Sequence, residues 1–136
     1  MDASVKTLLL KRADNACEYC RLPQKWYSPY KLQVEHIIAR QHHGGDELDN
    51  LGIACIDCNL NKGPNIAGID PLSLTLTELF HPRRHIWSDH FEQKRGMIAG
   101  RSSIGRTTVY VLKMNSDEQV KTRLIIELFE AANLRP

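Results

Sequence analysis

The sequence predicts a small α+β domain whose centre is a strand, a loop, a second strand and a helix. Side chains alternate between apolar and polar over residues 31–37, and a short apolar stretch follows at 50–54, as is typical of strands. Residues 58–62 should start a short helix, which Gly63-Pro64 ends. Two Cys-x-x-Cys pairs lie at the corners of this unit and could tie it together.

Helices are predicted on both sides of this centre. Residues 2–13 form the first, capped by Asp2 or Ser4. Its apolar face should hold Val5, Leu8, Leu9 and the stem of Arg12. The last helix begins at Asn115 or Ser116 and runs to about Asn133. An apolar stripe should bury it against the domain: Val120, Leu124, Ile125, Leu128 and Phe129.

The segment between the centre and the last helix is less regular. Residues 64–71 are predicted as loop and 91–98 as one strand, whereas 72–77 fit a strand or a turn and 107–114 a strand or a helix. We therefore expect one domain over 1–136, with its core at 14–63 and a strand and helix extension at 64–136.

Composition indicates a globular protein, because 42% of the 136 residues are hydrophobic and 25% are charged. There is no apolar run long enough to span a bilayer, and the apolar block near the N-terminus is too short for a signal peptide. These features predict a cytoplasmic protein.

The charges are unevenly distributed although the net charge is only +2. Residues 83–106 contain six Lys or Arg and two Asp or Glu, whereas residues 44–82 contain one basic and six acidic residues. This pattern suits a protein that binds a polyanion and holds a divalent cation elsewhere. Ordinary solvated surfaces show similar segregation, so the charges alone leave both interpretations open.

Four cysteines form the two Cys-x-x-Cys pairs, Cys17 with Cys20 and Cys55 with Cys58. Without an export signal, this pattern favours a structural zinc site over disulfides. Each pair can form a knuckle, and two knuckles complete a tetrahedral site of four thiolates. A redox pair or free thiols are the alternatives.

Other side chains between the two cysteine pairs suit phosphodiester hydrolysis. His36 is the best candidate for a general base because the ordinary pKa of histidine lies near neutrality. Glu35 and Asn59 offer hard oxygen ligands for an ion such as Mg²⁺. Asn50 could hydrogen-bond across the loop and hold His36 in place. Adjacent strand residues point to opposite faces, so the strand should end or bend at His36.

The motifs Glu35-His36, Asn50-Leu51 and Cys55-x-x-Cys58-Asn59-x-x-Lys62 resemble the HNH endonuclease family of ββα-metal nucleases. The two cysteine pairs resemble its zinc-stabilised branch. Residues 64–111 are also similar to the downstream part of small stand-alone HNH proteins.

The resemblance implies a role for each of these residues. His36 would be the general base, braced by Asn50, while Glu35 and Asn59 would bind a catalytic Mg²⁺ or Mn²⁺ ion. Lys62 would lie near the phosphate. Asn59 stands where the family more often has His, and Glu35 where Asp is more frequent. Both remain hard donors, which fits a Mg²⁺-type ion.

We expect DNA to be the partner and cleavage or nicking of DNA to be the function. Arg40, Arg83 and Arg84 are the candidate phosphate contacts besides Lys62. One alternative is a zinc-ribbon-like nucleic-acid-binding module that has lost catalysis, and another is a purely structural zinc protein. The presence of both Glu35 and His36 argues against these, because zinc binding requires neither residue.

Overall fold

The computed structural model describes residues 2–133, so Met1 and residues 134–136 of the expected domain lie outside it. The described residues form an α+β fold of five helices and three separate antiparallel strand pairs, which confirms the expected fold class. In chain order the elements are α1 (Ala3–Arg12), β1 (Gln33–His36), β2 (Leu51–Ala54), α2 (Ile56–Lys62), β3 (Ala67–Ile69), β4 (Leu76–Glu78), α3 (Trp87–His90), β5 (Phe91–Lys94), β6 (Met97–Gly100), α4 (Ser103–Val111) and α5 (Asp117–Asn133).

The predicted central unit is the hairpin β1–β2 followed by α2. Its register pairs Gln33 with Ala54 and His36 with Leu51, and all of β2 is buried. Helix α2 begins two residues earlier than expected because the sulfur of Cys55 accepts a hydrogen bond from the Cys58 amide and caps it. It ends at Gly63, whose φ of 51° favours glycine.

Helix α1 packs against the start of β2. Asp2 caps it by accepting from the amides of Ser4 and Val5, as expected. Leu9 is fully buried, but Leu8 is 51% exposed, so the buried face of α1 is narrower than the predicted one. The guanidinium of Arg12 donates to the carbonyl oxygens of Leu48 and Leu51, and these hydrogen bonds join α1 to β2.

Two short hairpins replace the predicted loop and strand between the centre and the last helix. Residues 67–69, expected as loop, form β3 and pair with β4, while 71–73 form the turn. The Asp70 carboxylate builds that turn by accepting from the Leu72 amide and the Ser73 hydroxyl, a side-chain effect that periodicity does not show. Residues 91–98, expected as one strand, divide into β5 and β6 at Arg95 and Gly96, whose positive φ angles make a tight turn.

The ambiguous segment 107–114 is largely helical, because α4 covers Ser103–Val111 and begins at Ser102, whose hydroxyl accepts from the Gly105 amide. Phe80 is buried in the core beside α4, where its amide donates to the Thr108 hydroxyl. Its ring contacts those of Tyr19 and Phe91 at centroid distances of 6.4 and 5.1 Å. Among the described residues, none of the helices has the length and apolar character that crossing a membrane would require.

Helix α5 docks through a different face from the predicted stripe. Leu128 is 71% exposed and Ile125 57% exposed, whereas Gln119, Arg123 and Ile126 are buried. The Arg123 guanidinium donates to the carbonyl oxygens of Gly96 and Met114, each at 2.6 Å. Polar contacts to these backbone groups therefore set the orientation of α5, and the apolar pattern gave the wrong face.

Candidate functional site

The four cysteines converge on one point at the base of the ββα unit. All four are buried, and their sulfur atoms lie within 4.8 Å of one another. The Cys20 and Cys55 sulfurs are 3.7 Å apart, close to the ~3.8 Å edge of a tetrahedron with metal–sulfur bonds of about 2.3 Å. Four buried thiols in this arrangement have the chemistry and spacing of a structural zinc site.

Hydrogen bonds favour a thiolate at one position of this cluster, Cys55. The amides of Cys20 and Cys58 donate to the sulfurs of Cys17 and Cys55. Hydrogen bonds from Cys17, Cys20 and Cys58 hold the pKa of Cys55 well below its ordinary value. Hydrogen bonds within the same cluster raise the pKa values of Cys20 and Cys58 well above the ordinary value. Because zinc binds thiolates, its binding would release protons from these thiols.

His36 is the last residue of β1 and its imidazole is one quarter exposed. Its Nε2 lies 2.7 Å from Oδ1 of Asp46, and Arg40 Nη2 lies 2.9 and 3.2 Å from the two oxygens of the same carboxylate. The hydrogen bond from His36 is the largest factor that lowers the pKa of Asp46, and the charge of Arg40 lowers it further. Asp46 was not predicted as a site residue.

Asn50 is buried beneath the loop that joins β1 to β2. Its Oδ1 accepts from the Ile38 amide, and its Nδ2 donates to the carbonyl oxygens of Ile38 and Gly45. A Cβ atom at Gly44 would come within 1.7 Å of the Ile38 oxygen, so the loop can close this tightly only with glycine there. Together these contacts fix the loop that presents Asp46 to His36.

Glu35 lies on the opposite face of β1 from His36, as strand geometry requires, and it is buried. The Tyr19 hydroxyl donates to its Oε1, and Lys62 Nζ lies 3.3 Å from its Oε2. Burial raises the pKa of Glu35, and the charge of Lys62 opposes that effect. The structure therefore does not bring Glu35 and His36 to one point.

Lys62, expected beside the substrate phosphate, is instead 1% exposed. Its ammonium group donates to the carbonyl oxygens of Ile37 and His36, at 2.8 and 3.4 Å, in addition to its contact with Glu35. A lysine at the end of a short helix usually reaches solvent, so sequence gave no sign of this position. In this geometry Lys62 joins α2 to the end of β1.

Asn59 lies on the face of α2 that packs against β1. Its Nδ2 donates to Oε1 of Gln33 at 2.8 Å. Gln33 and Glu35 share one face of the strand because they are two residues apart. Asn59 and Glu35 therefore lie on the same side of β1. The Lys62 side chain extends from α2 towards that side of the strand and contacts Glu35.

The four cysteines and the site residues described above all lie in a segment that matches one protein-family model. Residues 17–65 match the family model described as HNH endonuclease. This segment belongs to the HNH endonuclease family. The match and the cysteine cluster confirm the resemblance to the zinc-stabilised branch, and they support a nuclease-type function with a nucleic-acid substrate. The comparisons with curated proteins and with solved structures gave no match.

The arginines predicted to contact nucleic acid differ in accessibility. Arg40, inside the HNH segment, is 72% exposed and paired with Asp46. Arg84 lies outside the HNH segment, is 61% exposed, and is paired with Glu78 at 3.1 Å. Arg83 is only 15% exposed because its Nη2 is paired with Glu18.

Asp46 is the first of two site residues that sequence reasoning missed. A signal was present, because Gly44-Gly45 marks a turn that folds the loop back, and Asp46 follows that turn directly. Tyr19 was missed for a different reason, since it lies between the cysteines of the first knuckle and nothing in its local sequence points to Glu35.

Proposed function

We propose that the protein is a metal-dependent endonuclease that hydrolyses or nicks DNA phosphodiester bonds, with His36 as the general base. The observation that supports this most is the position of His36 at the end of β1, partly exposed and held by Asp46 within an HNH segment. A histidine with one nitrogen fixed and the ring accessible is suited to proton transfer.

Asp46 would determine which nitrogen of His36 acts as the base. A carboxylate can only accept, so the Nε2 beside it carries the hydrogen, and Nδ1 keeps a free lone pair. In the proposed reaction Nδ1 removes a proton from water while the water oxygen forms a bond to phosphorus. The bond from phosphorus to the 3′ oxygen breaks, and that oxygen takes a proton from solvent. Asp46 stabilises the imidazolium that forms.

Asn50 would act by positioning. Its three hydrogen bonds hold the loop that carries Asp46, so that the imidazole has a single orientation.

Glu35 and Asn59 would supply protein ligands to a Mg²⁺ or Mn²⁺ ion. Both offer hard oxygen atoms, and both lie on the same side of β1, which fits such an ion. Lys62 and Tyr19 hold the Glu35 carboxylate on the face of β1 opposite His36 in this structure. Glu35 would therefore have to turn away from them, towards the end of β1, to hold a cation at the phosphate that His36 serves. A bound cation would neutralise charge on the phosphate.

The four cysteines would stabilise the fold of the ββα unit. A structural zinc ion at Cys17, Cys20, Cys55 and Cys58 would tie the first knuckle to the start of α2, and metal binding would contribute folding energy to a unit with short strands. Arg40 and Arg84, which are exposed, would contact DNA phosphates, and Arg83 would contribute from its buried position.

A second candidate function is supported by the contacts of Glu35. Its carboxylate is buried with an ammonium group, an arrangement that would suit a zinc-containing nucleic-acid-binding module without catalysis. Cleavage of supercoiled plasmid by the wild type and by His36→Ala, with and without Mg²⁺ or Mn²⁺, separates the two functions. Metal-dependent cleavage by the wild type alone supports the nuclease.

A further inference from the structure

A cavity of about 250 Å³ lies beside the HNH centre, between the end of α1, the first cysteine knuckle and the segment 80–87. Its walls contain three arginines, Arg12, Arg21 and Arg83, one from each of these parts of the chain. The proposed nuclease chemistry uses Arg83 as a contact to DNA, but it gives no role to Arg12 or Arg21 at this cavity.

Arg83 lines this cavity and has an unused donor. Its Nη2 is paired with Glu18, but its Nε is buried and, among residues 2–133, has no hydrogen-bond partner. A buried donor without an acceptor is costly, so an acceptor in the adjoining space would be favourable.

The charges around the cavity favour an anion. Burial, and after it the nearby charge of Arg12, lower the pKa of Arg83 to about 10. The guanidinium carbon of Arg21 lies 5.0 Å from the centroid of the Trp87 ring, a cation–π contact. Asp14 and Glu18 are the acidic residues of the wall, and Glu18 is neutralised by Arg83.

The cavity is close to the end of the hairpin that holds His36. Arg12 donates to the Leu51 carbonyl oxygen, and Leu51 is the register partner of His36. The cavity and His36 are therefore connected through the backbone of this hairpin.

We propose that the cavity binds a phosphate group of a nucleic acid, with a phosphate oxygen accepting from Arg83 Nε and with Arg12 and Arg21 supplying positive charge. The identity of the ligand rests on the proposed function, whereas anion binding itself does not. A phosphate is the oxyanion that planar guanidinium donors match best. The site would hold either a terminal monoester or a backbone diester at a distance from the bond that is cut.

The test follows the Nε–H signal of Arg83 by ¹H–¹⁵N NMR during titration with inorganic phosphate, with chloride at equal ionic strength as the control. Arg83→Lys keeps a positive charge opposite Glu18 but removes Nε–H, and the exposed turn residue Arg95 provides the matched variant Arg95→Lys. We expect a saturable shift with phosphate only. Arg83→Lys should weaken phosphate binding about tenfold or more, as loss of a charge-assisted hydrogen bond does, while Arg95→Lys should bind as the wild type.

Two short oligonucleotides of one sequence, with a 5′-phosphate or a 5′-hydroxyl, then identify the source of the phosphate. A shift with both indicates a backbone diester, and a shift with only the phosphorylated strand indicates a terminal monoester. A shift with inorganic phosphate but neither strand overturns the assignment to nucleic acid. No shift with phosphate, or equal binding by Arg83→Lys, overturns the site. The titrations contain no added Mg²⁺ or Mn²⁺, so a protein that fails to cleave DNA still gives a clear answer.

Discussion

The Asp46 carboxylate lies 2.7 Å from His36 Nε2, and the guanidinium of Arg40 contacts the same carboxylate. This arrangement links the centre of the loop to the end of β1 through a charged side chain. Because the carboxylate accepts from Nε2, it leaves Nδ1 as the basic atom of the ring.

Asp46→Asn should slow cleavage about 10–100-fold, because the carboxamide holds the imidazole less firmly and does not stabilise its charged form. Single-turnover cleavage of plasmid DNA measures the effect, and Asp49→Asn is the control because Asp49 is an exposed acid in the same loop. In the wild type, the imidazole ¹⁵N shifts of neutral His36 should show the hydrogen on Nε2. Equal rates for the two variants would remove Asp46 from the mechanism.

Asn50→Ala should lower the free energy of unfolding by about 1–3 kcal/mol, because partly buried backbone groups at Ile38 and Gly45 lose their partner. Urea unfolding followed by tryptophan fluorescence, with zinc present, measures the change. Asn65 is exposed, so Asn65→Ala should stay within about 0.5 kcal/mol of the wild type. If both variants are equally stable, Asn50 does not brace the loop.

Much of this centre could be predicted from sequence, because its signals are local. Alternating apolar and polar side chains before His36 predicted β1, and the spacing of the cysteines predicted the zinc site. Gly63 predicted the end of α2. Each of these signals lies within a few residues of the feature it predicts. The position of Lys62 could not be predicted, because its burial depends on the carbonyl oxygens at the end of β1 and on Glu35, which meet only after folding.

Cys58→Ser and Asn59→Ala change adjacent residues but should have different effects, the first on zinc binding and folding and the second on DNA cleavage. Cys58→Ser should lose bound zinc and its cooperative thermal transition, because the four-sulfur site is incomplete. Asn59→Ala should keep about one zinc per chain by elemental analysis and a near-native transition, but cleave DNA more slowly. The reverse outcome, with folding lost in Asn59→Ala and cleavage lost in folded Cys58→Ser, would contradict this division.

The histidines of segment 81–90 should make stability depend on pH. The His81 amide donates to His85 Nδ1 at 2.9 Å, which requires that nitrogen to be unprotonated, and burial lowers the pKa of His85. Because the folded-state pKa lies below the ordinary value of about 6.5, stability is full above that pH and falls as pH decreases through it.

His85→Asn keeps an acceptor near Nδ1 but does not titrate. Between pH 7.5 and 5.5 the melting temperature of the wild type should therefore fall more than that of the variant, by roughly 2 °C, which corresponds to a few tenths of a kcal/mol in a domain of this size. Parallel curves for the two proteins would show that His85 does not contribute to the pH dependence.

The C-terminal extension was harder to predict than the centre. The apolar residues of α5, such as Leu128, suggested one buried face, but Arg123 sets the orientation through carbonyl oxygens that no periodic pattern identifies. The β5–β6 hairpin was missed because its turn includes Arg95 at positive φ, although Gly96 beside it was a turn signal.

The central claim is that His36 is the base of a metal-dependent endonuclease. The direct measurement is nicking of supercoiled plasmid with Mg²⁺ or Mn²⁺ by zinc-loaded wild type, by His36→Ala, and by His42→Ala, which changes an exposed histidine of the same loop. We predict metal-dependent nicking by the wild type and His42→Ala, and a loss of about 100-fold or more for folded His36→Ala. Intact plasmid with the wild type under every metal tested, or equal nicking by His36→Ala, would contradict the claim.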